Sequence, residues 1–250
     1  MKAEITLIPW DSVVFNSKIF QINYKKGLIP KDFKEIDLEC KKQDASIAFI
    51  KVNSDDIAAI HYLEQLGFHY IEMQFKIQKK IRQKYDISHF NDLFNLQLVH
   101  QDDIKDINEI CKIIKTTFDT DRYYIDPKIP KEISGKRYQN WFLNSFENNT
   151  METYKYISKH DNDILSFIMV NKEDKAIQLL LAGVTPQMKS KGIFVSMLVD
   201  YFNMNYENGR KIFFGYVSGL NKESFNVYMF LDFKIMSSTL VMRKIYNSNF

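Results

Sequence analysis

Apolar residues recur along the chain with two periodicities, and segments with one periodicity are followed by segments with the other. Short apolar runs bounded by turn residues predict strands, and apolar residues spaced three and four apart predict amphipathic helices. The predicted strands are 4–8, 18–24, 46–52, 68–77, 96–100, 153–158, 163–170, 177–184, 211–218 and 235–245. The predicted helices are 30–42, 55–66, 103–117, a segment around 138–146, 193–202 and 221–233. Strands and helices in this mixed order predict an α/β (α+β) protein.

The segment 175–245 organises the rest of the chain. The apolar run Ile177–Val184 predicts a buried strand, which ends before Pro186 because proline cannot donate to a strand ladder. A basic turn, Lys189-Ser190-Lys191-Gly192, comes next, and a predicted helix starts at Ile193. Free backbone N–H groups and the positive end of a helix dipole meet at such a turn, and two lysines add charge. The sequence therefore predicts an anion-binding site there.

Composition excludes several classes of protein. The 250 residues suffice for one large domain or two small ones, and 45% apolar residues support a sizeable core. A net charge of +3 does not suggest a nucleic-acid-binding protein, and no apolar run is long enough to span a bilayer. The N-terminus lacks the apolar core of a signal peptide. Cys40 and Cys111 are expected as free thiols in a reducing cytosol, which predicts a cytoplasmic protein. The five histidines show no metal-ligand pairing, so no metal site is expected.

A charged stretch with few apolar residues, 79–91, divides the chain into two unequal parts. The predicted division is an N-terminal domain over 1–85, a linker over 86–94 and a larger domain over 95–250. The first part also repeats an organisation of the second, since 46–77 and 211–245 both run strand, helix, strand.

This internal repeat can be aligned residue by residue on Phe68 and Phe233. The alignment places Asp56, Ala59 and Leu63 where the second copy has Asn221, Ser224 and Tyr228. The first copy lacks the tyrosine, the asparagine and a preceding basic turn, so we interpret it as a structural half-copy that does no chemistry. Coincidence is the alternative, because strand–helix–strand units are common.

Two motifs in the second part stand in a fixed order. The turn reads Lys189-Ser190-Lys191-Gly192-Ile193-Phe194, and the late helix has Asn221, Ser224 and Tyr228 before Leu231-Asp232-Phe233. Both resemble motifs of the GNAT family of acetyl-CoA-dependent N-acetyltransferases, written Arg/Gln-x-x-Gly-x-Gly/Ala and Asn-x-x-Ala-x-x-x-Tyr with a final Leu-Gly-Phe. This chain departs from the first motif at Lys189 and at Phe194, and it is open whether Phe194 crowds the coenzyme A pyrophosphate.

The resemblance implies a GNAT fold, a mixed and mostly antiparallel sheet with two splayed strands flanked by helices. It also implies acetyl-CoA as cofactor, bound by the strand before the turn and by the turn itself. The implied cofactor-binding residues are Leu181, Ala182, Gly183, Val184, Lys189, Ser190, Lys191, Gly192, Ile193, Phe194 and Asn221. Tyr228 matches the family's general acid, which gives a proton to the coenzyme A thiolate. The alternatives are a core tyrosine for Tyr228 and a helix cap for Asn221.

Three further segments extend the resemblance over essentially the whole chain. They are Trp10-Asp-x-x-x-Phe15, Asp121-Arg-Tyr-x-x-Asp-Pro127 and Tyr138-x-x-Trp141-x-x-Asn144-Ser145. Together they look like the bacterial TDP-fucosamine acetyltransferases and their relatives, in which a truncated GNAT-like region precedes a complete GNAT domain. The implied reaction is acetyl transfer to the amine of a nucleotide-linked, TDP-type dideoxy amino sugar for polysaccharide biosynthesis. Neither nucleic acid nor membrane insertion is expected.

Five residues are candidates for binding this acceptor, because arginine pairs with diphosphates and aromatic faces stack on bases and sugars. They are Arg122, Tyr123, Asp126, Tyr138 and Trp141. For Tyr138 and Trp141 a place in the core is an equal alternative, and no side chain is identified as a general base. Two other functions stay open, a GNAT enzyme acting on a protein or aminoglycoside amine and a non-catalytic acyl-CoA-binding module. A homodimer is also left open.

Overall fold

The computed structural model of the protein describes residues 4–86, 92–100 and 103–247, which form ten strands, eight helices and one 3₁₀ turn. The strands are β1 Glu4–Leu7, β2 Ile19–Asn23, β3 Ile47–Asn53, β4 His69–Lys80, β5 Phe94–Leu98, β6 Glu152–Ser158, β7 Ile164–Lys172, β8 Ala176–Val184, β9 Ile212–Ser218 and β10 Lys234–Ile245. The helices are α1 Pro9–Phe15, α2 Pro30–Lys42, α3 Ile57–Gln65, α4 Ile104–Thr117, α5 Arg122–Ile125, α6 Glu132–Glu147, α7 Ile193–Glu207 and α8 Lys222–Phe230.

All ten strands join one sheet in the order β1-β2-β3-β10-β4-β9-β8-β7-β6-β5. Neighbouring strands are antiparallel except at β2–β3 and β8–β9, which are parallel. The predicted mixed and mostly antiparallel sheet is therefore confirmed. The larger half contributes the run from β9 to β5, and the smaller half contributes the run from β1 to β3 at the opposite edge.

The two halves exchange strands at the centre of this sheet. The unit β3-α3-β4 belongs to the first half and β9-α8-β10 to the second, yet the strands interleave as β3-β10-β4-β9. Strand β10 pairs on one side with β3 and on the other with β4. Strand β4 in turn pairs with β9, from Gln74–Ser218 to Lys80–Ile212. Each half thus completes its sheet with a strand from the other half.

Alternation of side chains across the strands gives the sheet two apolar faces. In β3 and β10, Phe49 and Val241 pack in a core that contains α1 and α5 residues, whereas Met242 packs in the core of α2 and α3. In β7, Phe167 faces α4 and α6 whereas Ile168 faces α7 and α8. Helices α1, α4, α5 and α6 therefore cover one face, and α2, α3, α7 and α8 cover the other.

Three local features differ from the predicted elements. Residues Pro9–Phe15, where no element is predicted, form helix α1, which starts with Pro9 at its first position, where the fixed φ of proline suits a helix. Residues Arg122–Ile125, where no helix or strand is predicted, form the single-turn helix α5, since the Asp121 side chain accepts hydrogen bonds from two of its backbone N–H groups. The charged stretch 79–91 overlaps the end of β4, which continues to Lys80, and residues 87–91, all within the predicted linker 86–94, lie outside the described part of the chain.

Within residues 4–86, 92–100 and 103–247, no helix has both the length and the apolar content needed to cross a membrane.

Candidate active site

Strands β8 and β9 separate partway along the sheet. They pair in parallel only from Ala176–Ile212 to Leu179–Gly215, although β8 continues to Val184 and β9 to Ser218. A register shift in the β7–β8 pairing leaves Leu180 as an extra residue at the point where the strands part. The predicted splay is thus present. Beyond it, the edge of β8 that faces β9 has unpaired backbone groups which a bound ligand can use.

The residues predicted for the pantetheine arm, Leu181 to Val184, lie on this splayed end of β8 and pair on their other edge with β7. Gly183 allows helix α4 to pack closely on the strand. A Cβ atom at that position would lie 2.7 Å from Phe167 Cε1 and 3.2 Å from Thr117 Oγ1. A larger residue would therefore push the end of α4 away from the splayed strand.

The basic turn leads directly into helix α7. Gly192 is the N-cap residue at φ +78°, a conformation that favours glycine, and Ser190 is also left-handed at φ +60°. Gly192 has no side chain to cap the helix, so the first backbone N–H groups of α7 lack a side-chain acceptor. Lys189 and Lys191 are exposed beside them. The turn therefore has the donors and the positive charge that bind phosphate oxygens.

Tyr228 lies on α8 with its ring between two phenylalanines. The ring centroid is 5.9 Å from that of Phe194, which follows the basic turn, and 5.0 Å from that of Phe233. Burial raises the pKa of Tyr228 above its ordinary value, so the hydroxyl stays protonated at neutral pH. This tyrosine can therefore donate a proton next to the turn. Phe194 packs edge-on against it in a T-shaped arrangement.

Asn221 caps helix α8, since its side-chain oxygen accepts a hydrogen bond of 3.0 Å from the backbone N–H of Ser224. Asp56 caps α3 in the same way, with a bond of 3.2 Å from the N–H of Ala59. The ends of the two helices also match, because backbone bonds of 2.9 Å join Phe68 to Leu63 and Phe233 to Tyr228. The sequence alignment of the two halves is therefore confirmed at four positions. A contact of Asn221 with the cofactor stays a prediction.

Three of the predicted acceptor residues lie buried where the halves meet. The Tyr123 hydroxyl donates to Asp11, whose other oxygen accepts a 2.7 Å bond from Arg137 Nε. Asp126 accepts bonds of 2.6 and 2.9 Å from Arg243 of β10. The Arg122 guanidinium lies 4.8 Å from the ring centre of Phe49 on β3 and is 8% exposed. The contacts of Tyr123 with Asp11 and of Arg122 with Phe49 join the halves, whereas Asp126 and Arg243 both belong to the larger half.

Tyr138 and Trp141 belong to a half-buried row of aromatic rings. Ring centroids are 4.2 Å apart for Phe118 and Tyr138, 6.3 Å for Tyr138 and Trp141, and 6.4 Å for Trp141 and Trp10. Phe118 directly follows Thr117, the α4 residue next to Gly183 of the splayed strand. The row therefore runs away from the splay towards the first half, and flat ring faces of this kind can stack on a base or a sugar.

The structure adds a polar group that the sequence did not single out. Glu72 of β4 is 1% exposed, and burial raises the pKa of its carboxyl group. Burial, followed by the charges of Arg122 and Arg137, lowers the pKa of Lys51 on β3 to about 8. The Lys51 ammonium lies 5.4 Å from the ring centre of Tyr216, on the splayed end of β9. The available signal was a polar row on one face of predicted strand 68–77.

The side chains of residues 4–86, 92–100 and 103–247 include no group of three or more histidine, cysteine or acidic residues that could hold a metal ion.

Comparisons with solved structures define the class of fold. The chain superposes on a GCN5-related N-acetyltransferase from Sphaerobacter thermophilus with a TM-score of 0.68 and 10% identity, covering 98% of this chain and 76% of that one. It superposes on a tandem GNAT protein from the clavulanic acid biosynthesis pathway with a TM-score of 0.57 and 8% identity, covering 91% and 75%. The protein therefore has the GNAT fold.

Among curated proteins, the chain is similar to the spore coat polysaccharide biosynthesis protein SpsD of Bacillus subtilis, with 19% identity over 195 residues. The match covers 76% of this chain and 65% of that protein, so the chain spans about two thirds of the relative's length. No model of a known protein family matches the chain.

Proposed function

We propose that the protein is an N-acetyltransferase that uses acetyl-CoA and acts by direct transfer. The observation that carries this proposal is the arrangement of three features. They are the splayed end of β8, the Gly192 turn at the start of α7, and Tyr228 packed against Phe194 just after that turn. An elongated cofactor with a phosphate group at one end and a reactive thioester at the other matches these three parts. The GNAT fold of the chain supports the proposal.

The residues present fit acetyl-CoA. A Cβ at Gly192 would meet nothing within 4 Å, so a phosphate group can approach this backbone closely. The N–H groups of α7 and the two lysines bind the pyrophosphate, and backbone groups of Leu181 to Val184 bind the pantetheine arm. When bound, acetyl-CoA supplies the activated acetyl group.

Tyr228 acts as the general acid in this proposal. Because its pKa is raised, it keeps its proton until the coenzyme A thiolate needs it. The Phe194 and Phe233 rings hold the tyrosine ring from two sides, which fixes the direction of the hydroxyl. Phe194, which replaces a small residue in the family motif, thus has a positioning role.

We further propose that the acceptor is the amine of a nucleotide-linked, TDP-type dideoxy amino sugar. Tyr138 and Trp141 supply stacking surfaces, and Arg122, Tyr123 and Asp126 support that wall from the interface of the halves. The name of the Bacillus relative, a polysaccharide biosynthesis protein, favours a sugar acceptor. We place the enzyme in the cytoplasm, where nucleotide sugars are made and where free thiols such as Cys40 and Cys111 persist.

A thiol-release screen tests both parts of this proposal. Purified protein is incubated with acetyl-CoA and, in parallel, with TDP- and UDP-linked amino sugars, an aminoglycoside and a peptide amine. Release of coenzyme A with one nucleotide sugar supports the acceptor class, whereas release only with the aminoglycoside or peptide replaces it. Thermal stabilisation by acetyl-CoA without thiol release from any amine would instead indicate a non-catalytic acyl-CoA-binding module.

A further inference from the structure

The proposed reaction needs a group that takes a proton from the acceptor amine, and the larger half offers Tyr228 only as a donor. The strand exchange brings a second ionisable group to the splay. Strand β4 of the first half lies directly beside β9, and its residue Gln74 pairs with Ser218 at the splayed end of that strand. Glu72, two residues away, points to the same face of the sheet as Gln74.

Glu72 lies between charged groups of the first half and the acceptor wall. Val241 of β10 lies between two charged residues. Glu72 of β4 is its neighbour on one side, and Lys51 of β3 is its neighbour on the other. Arg122 of α5 is close enough that its charge lowers the Glu72 pKa and that Glu72 in turn raises the Arg122 pKa. Glu72 therefore lies on the face of the sheet where Val241 packs with Tyr123 of α5, which is the side to which we assign the acceptor.

Three polar atoms in this cluster have no hydrogen-bond partner among the described residues, and one of them is Gln74 Oε1. Glu72 Oε1 accepts a 2.8 Å bond from Gln74. The Ser218 side chain is close enough to lower the Glu72 pKa through hydrogen bonding, but Glu72 Oε2 is buried and has no partner at hydrogen-bond distance within the described part of the chain. The same is true of Arg122 Nε. A buried unpaired donor or acceptor costs about 1–3 kcal/mol, and more for charged groups, so such atoms need an explanation. A free acceptor and a free donor in one cluster match a ligand that both donates and accepts hydrogen bonds.

We propose that Glu72 is the general base of the transfer, so that the first half takes part in the chemistry. This inference rests on the proposed acetyltransferase activity. It revises the interpretation of the first half as a purely structural copy, which compared only the positions equivalent to Asn221 and Tyr228. The base lies instead on the strand that the first half inserts next to β9.

The proton transfers balance between two residues. The neutral amine attacks the thioester carbonyl carbon and forms the C–N bond, and Glu72 Oε2 takes one proton from the nitrogen, directly or across one water molecule. The C–S bond then breaks, and Tyr228 gives its proton to the sulfur. Glu72 is left protonated and Tyr228 ionised, and one proton passing through solvent from Glu72 to Tyr228 restores both.

The surroundings of Glu72 suit a base that works near neutral pH. Burial is the largest influence and raises its pKa, and Asp121 acts in the same direction. Arg122, Ser218 and Lys51 act in the opposite direction. A raised pKa brings the carboxylate nearer to the working pH, where a general base is most effective.

The same shift separates a catalytic role from a structural one. Because the folded-state pKa is raised, the stability contribution of Glu72 is full below its unfolded pKa and is lost as the pH rises through the folded pKa. At neutral pH the ionised carboxylate therefore lowers the free energy of unfolding. Glu72→Gln removes the charge and keeps an acceptor for Gln74, so its melting temperature should equal or exceed that of the unchanged protein.

The decisive experiment compares Glu72→Gln and Glu72→Asp with the control Glu152→Gln. The control removes a carboxylate of β6 that is paired with Lys172 of β7. Thiol release is measured with the acceptor found in the screen. We expect kcat to fall about 10²–10⁴-fold in Glu72→Gln, with unchanged binding of acetyl-CoA, partial recovery in Glu72→Asp and no change in the control. The ratio of kcat/KM between the unchanged protein and Glu72→Gln should approach one at low pH, since protonation of the amine itself cancels in this ratio.

Three results would overturn the inference. Near-normal kcat in Glu72→Gln, or a ratio independent of pH, shows that Glu72 is not the base while acetyl transfer itself stands. A lower melting temperature in Glu72→Gln, with activity lost in proportion to folded protein, shows a structural role. No thiol release from the unchanged protein with any amine removes the proposed function, and the inference with it.

Discussion

Tyr228 combines observed ring packing with a proposed chemical role in one side chain. Its ring contacts Phe194 and Phe233 in T-shaped arrangements, which any aromatic residue at that position could make. Its hydroxyl adds nothing to these ring contacts, and burial raises its pKa so that it stays protonated. The ring contacts thus account for an aromatic residue at this position, and the proposed role as proton donor would account for tyrosine in particular.

Tyr228→Phe removes the hydroxyl and keeps the ring. We expect unchanged folding and unchanged acetyl-CoA binding, with kcat and kcat/KM both lower by about 10²–10⁴-fold, because the leaving thiolate loses its proton donor. Steady-state thiol release and thermal melting measure these quantities. Tyr201→Phe is the matched control, since that hydroxyl is buried in the core and should not affect kcat. Near-normal kcat in Tyr228→Phe would make it a core residue only.

At the scale of elements, the turn before α7 and the helix α8 hold the two ends of the proposed cofactor site. The turn is shaped by left-handed Ser190 and Gly192, and α8 begins at the Asn221 cap. Both features are local, so the sequence indicated them well. The first half repeats the cap and the helix end in α3, but with Leu63, 1% exposed, in place of the tyrosine.

Replacing both Lys189 and Lys191 by alanine should raise the KM for acetyl-CoA far more than the KM for the acceptor. The lysines are exposed and attract phosphate charge, so the difference should be larger at low salt, where screening is weak. Initial-rate measurements at two salt concentrations check this. The paired control Lys31→Ala/Lys34→Ala removes two exposed lysines from α2 and should leave both constants alone. An unmoved KM for acetyl-CoA contradicts the anion site.

Leu63→Ala should lower the free energy of unfolding by about 2–5 kcal/mol, because it leaves a cavity in the core of the first half. The kcat of the folded fraction should be kept, since α3 lies on the face of the sheet opposite to α5 and the acceptor wall. Denaturant unfolding and active-site-normalised rates give the two quantities. Leu38→Ala, at a position 63% exposed, should change neither. A loss of kcat with unchanged stability would contradict this prediction.

At the scale of the whole molecule, the strand exchange makes the halves depend on each other. Strand β10 lies between β3 and β4, and the ion pair Asp11–Arg137 connects the halves, while Asp126–Arg243 ties the end of α5 to β10 within the larger half. Both pairs are buried, so loss of one partner leaves an unpaired charge. The division of the chain at 86–94 stays a proposal about sequence organisation, because neither half has a complete sheet without the other.

We therefore expect one unfolding transition for the whole chain. Trp10 and Trp141 stack across the junction, so tryptophan fluorescence reports on the contact between the halves, while far-UV circular dichroism reports on all elements. The two denaturation curves should coincide. Asp126→Ala should lower the free energy of unfolding measured by both probes by about 3–5 kcal/mol, because it leaves the buried Arg243 charge without a partner. Two separate transitions would show that the halves fold independently.

The sequence predicted every strand of the sheet, because strands, turns and helix caps depend on residues close together in the chain. It also aligned Asp56 with Asn221, for which a helix cap was one of two alternatives, and both residues cap their helices. The splay of β8 was implied by the family resemblance, and the structure has it. It failed for α1 and α5, whose formation depends on single residues, Pro9 and Asp121, at their starts. Local signals of this size are easily hidden by the polar residues around them.

Only the tertiary structure decided which strands are neighbours, because strand pairing joins residues far apart in sequence and alternation alone does not name a partner. Tyr123 and Asp126 look like polar loop residues in the sequence, yet they are buried because Asp11 and Arg243 meet them from more than a hundred positions away. In the sequence, Glu72 is only one acidic residue in a predicted strand. The pairing of β4 with β9 is what brings this strand beside the splay. The sequence by itself determined the strands, most of the helices and the basic turn before α7, because these depend on neighbouring residues. The exchange of strands, which joins distant residues, decided which residues of the first half lie beside β9.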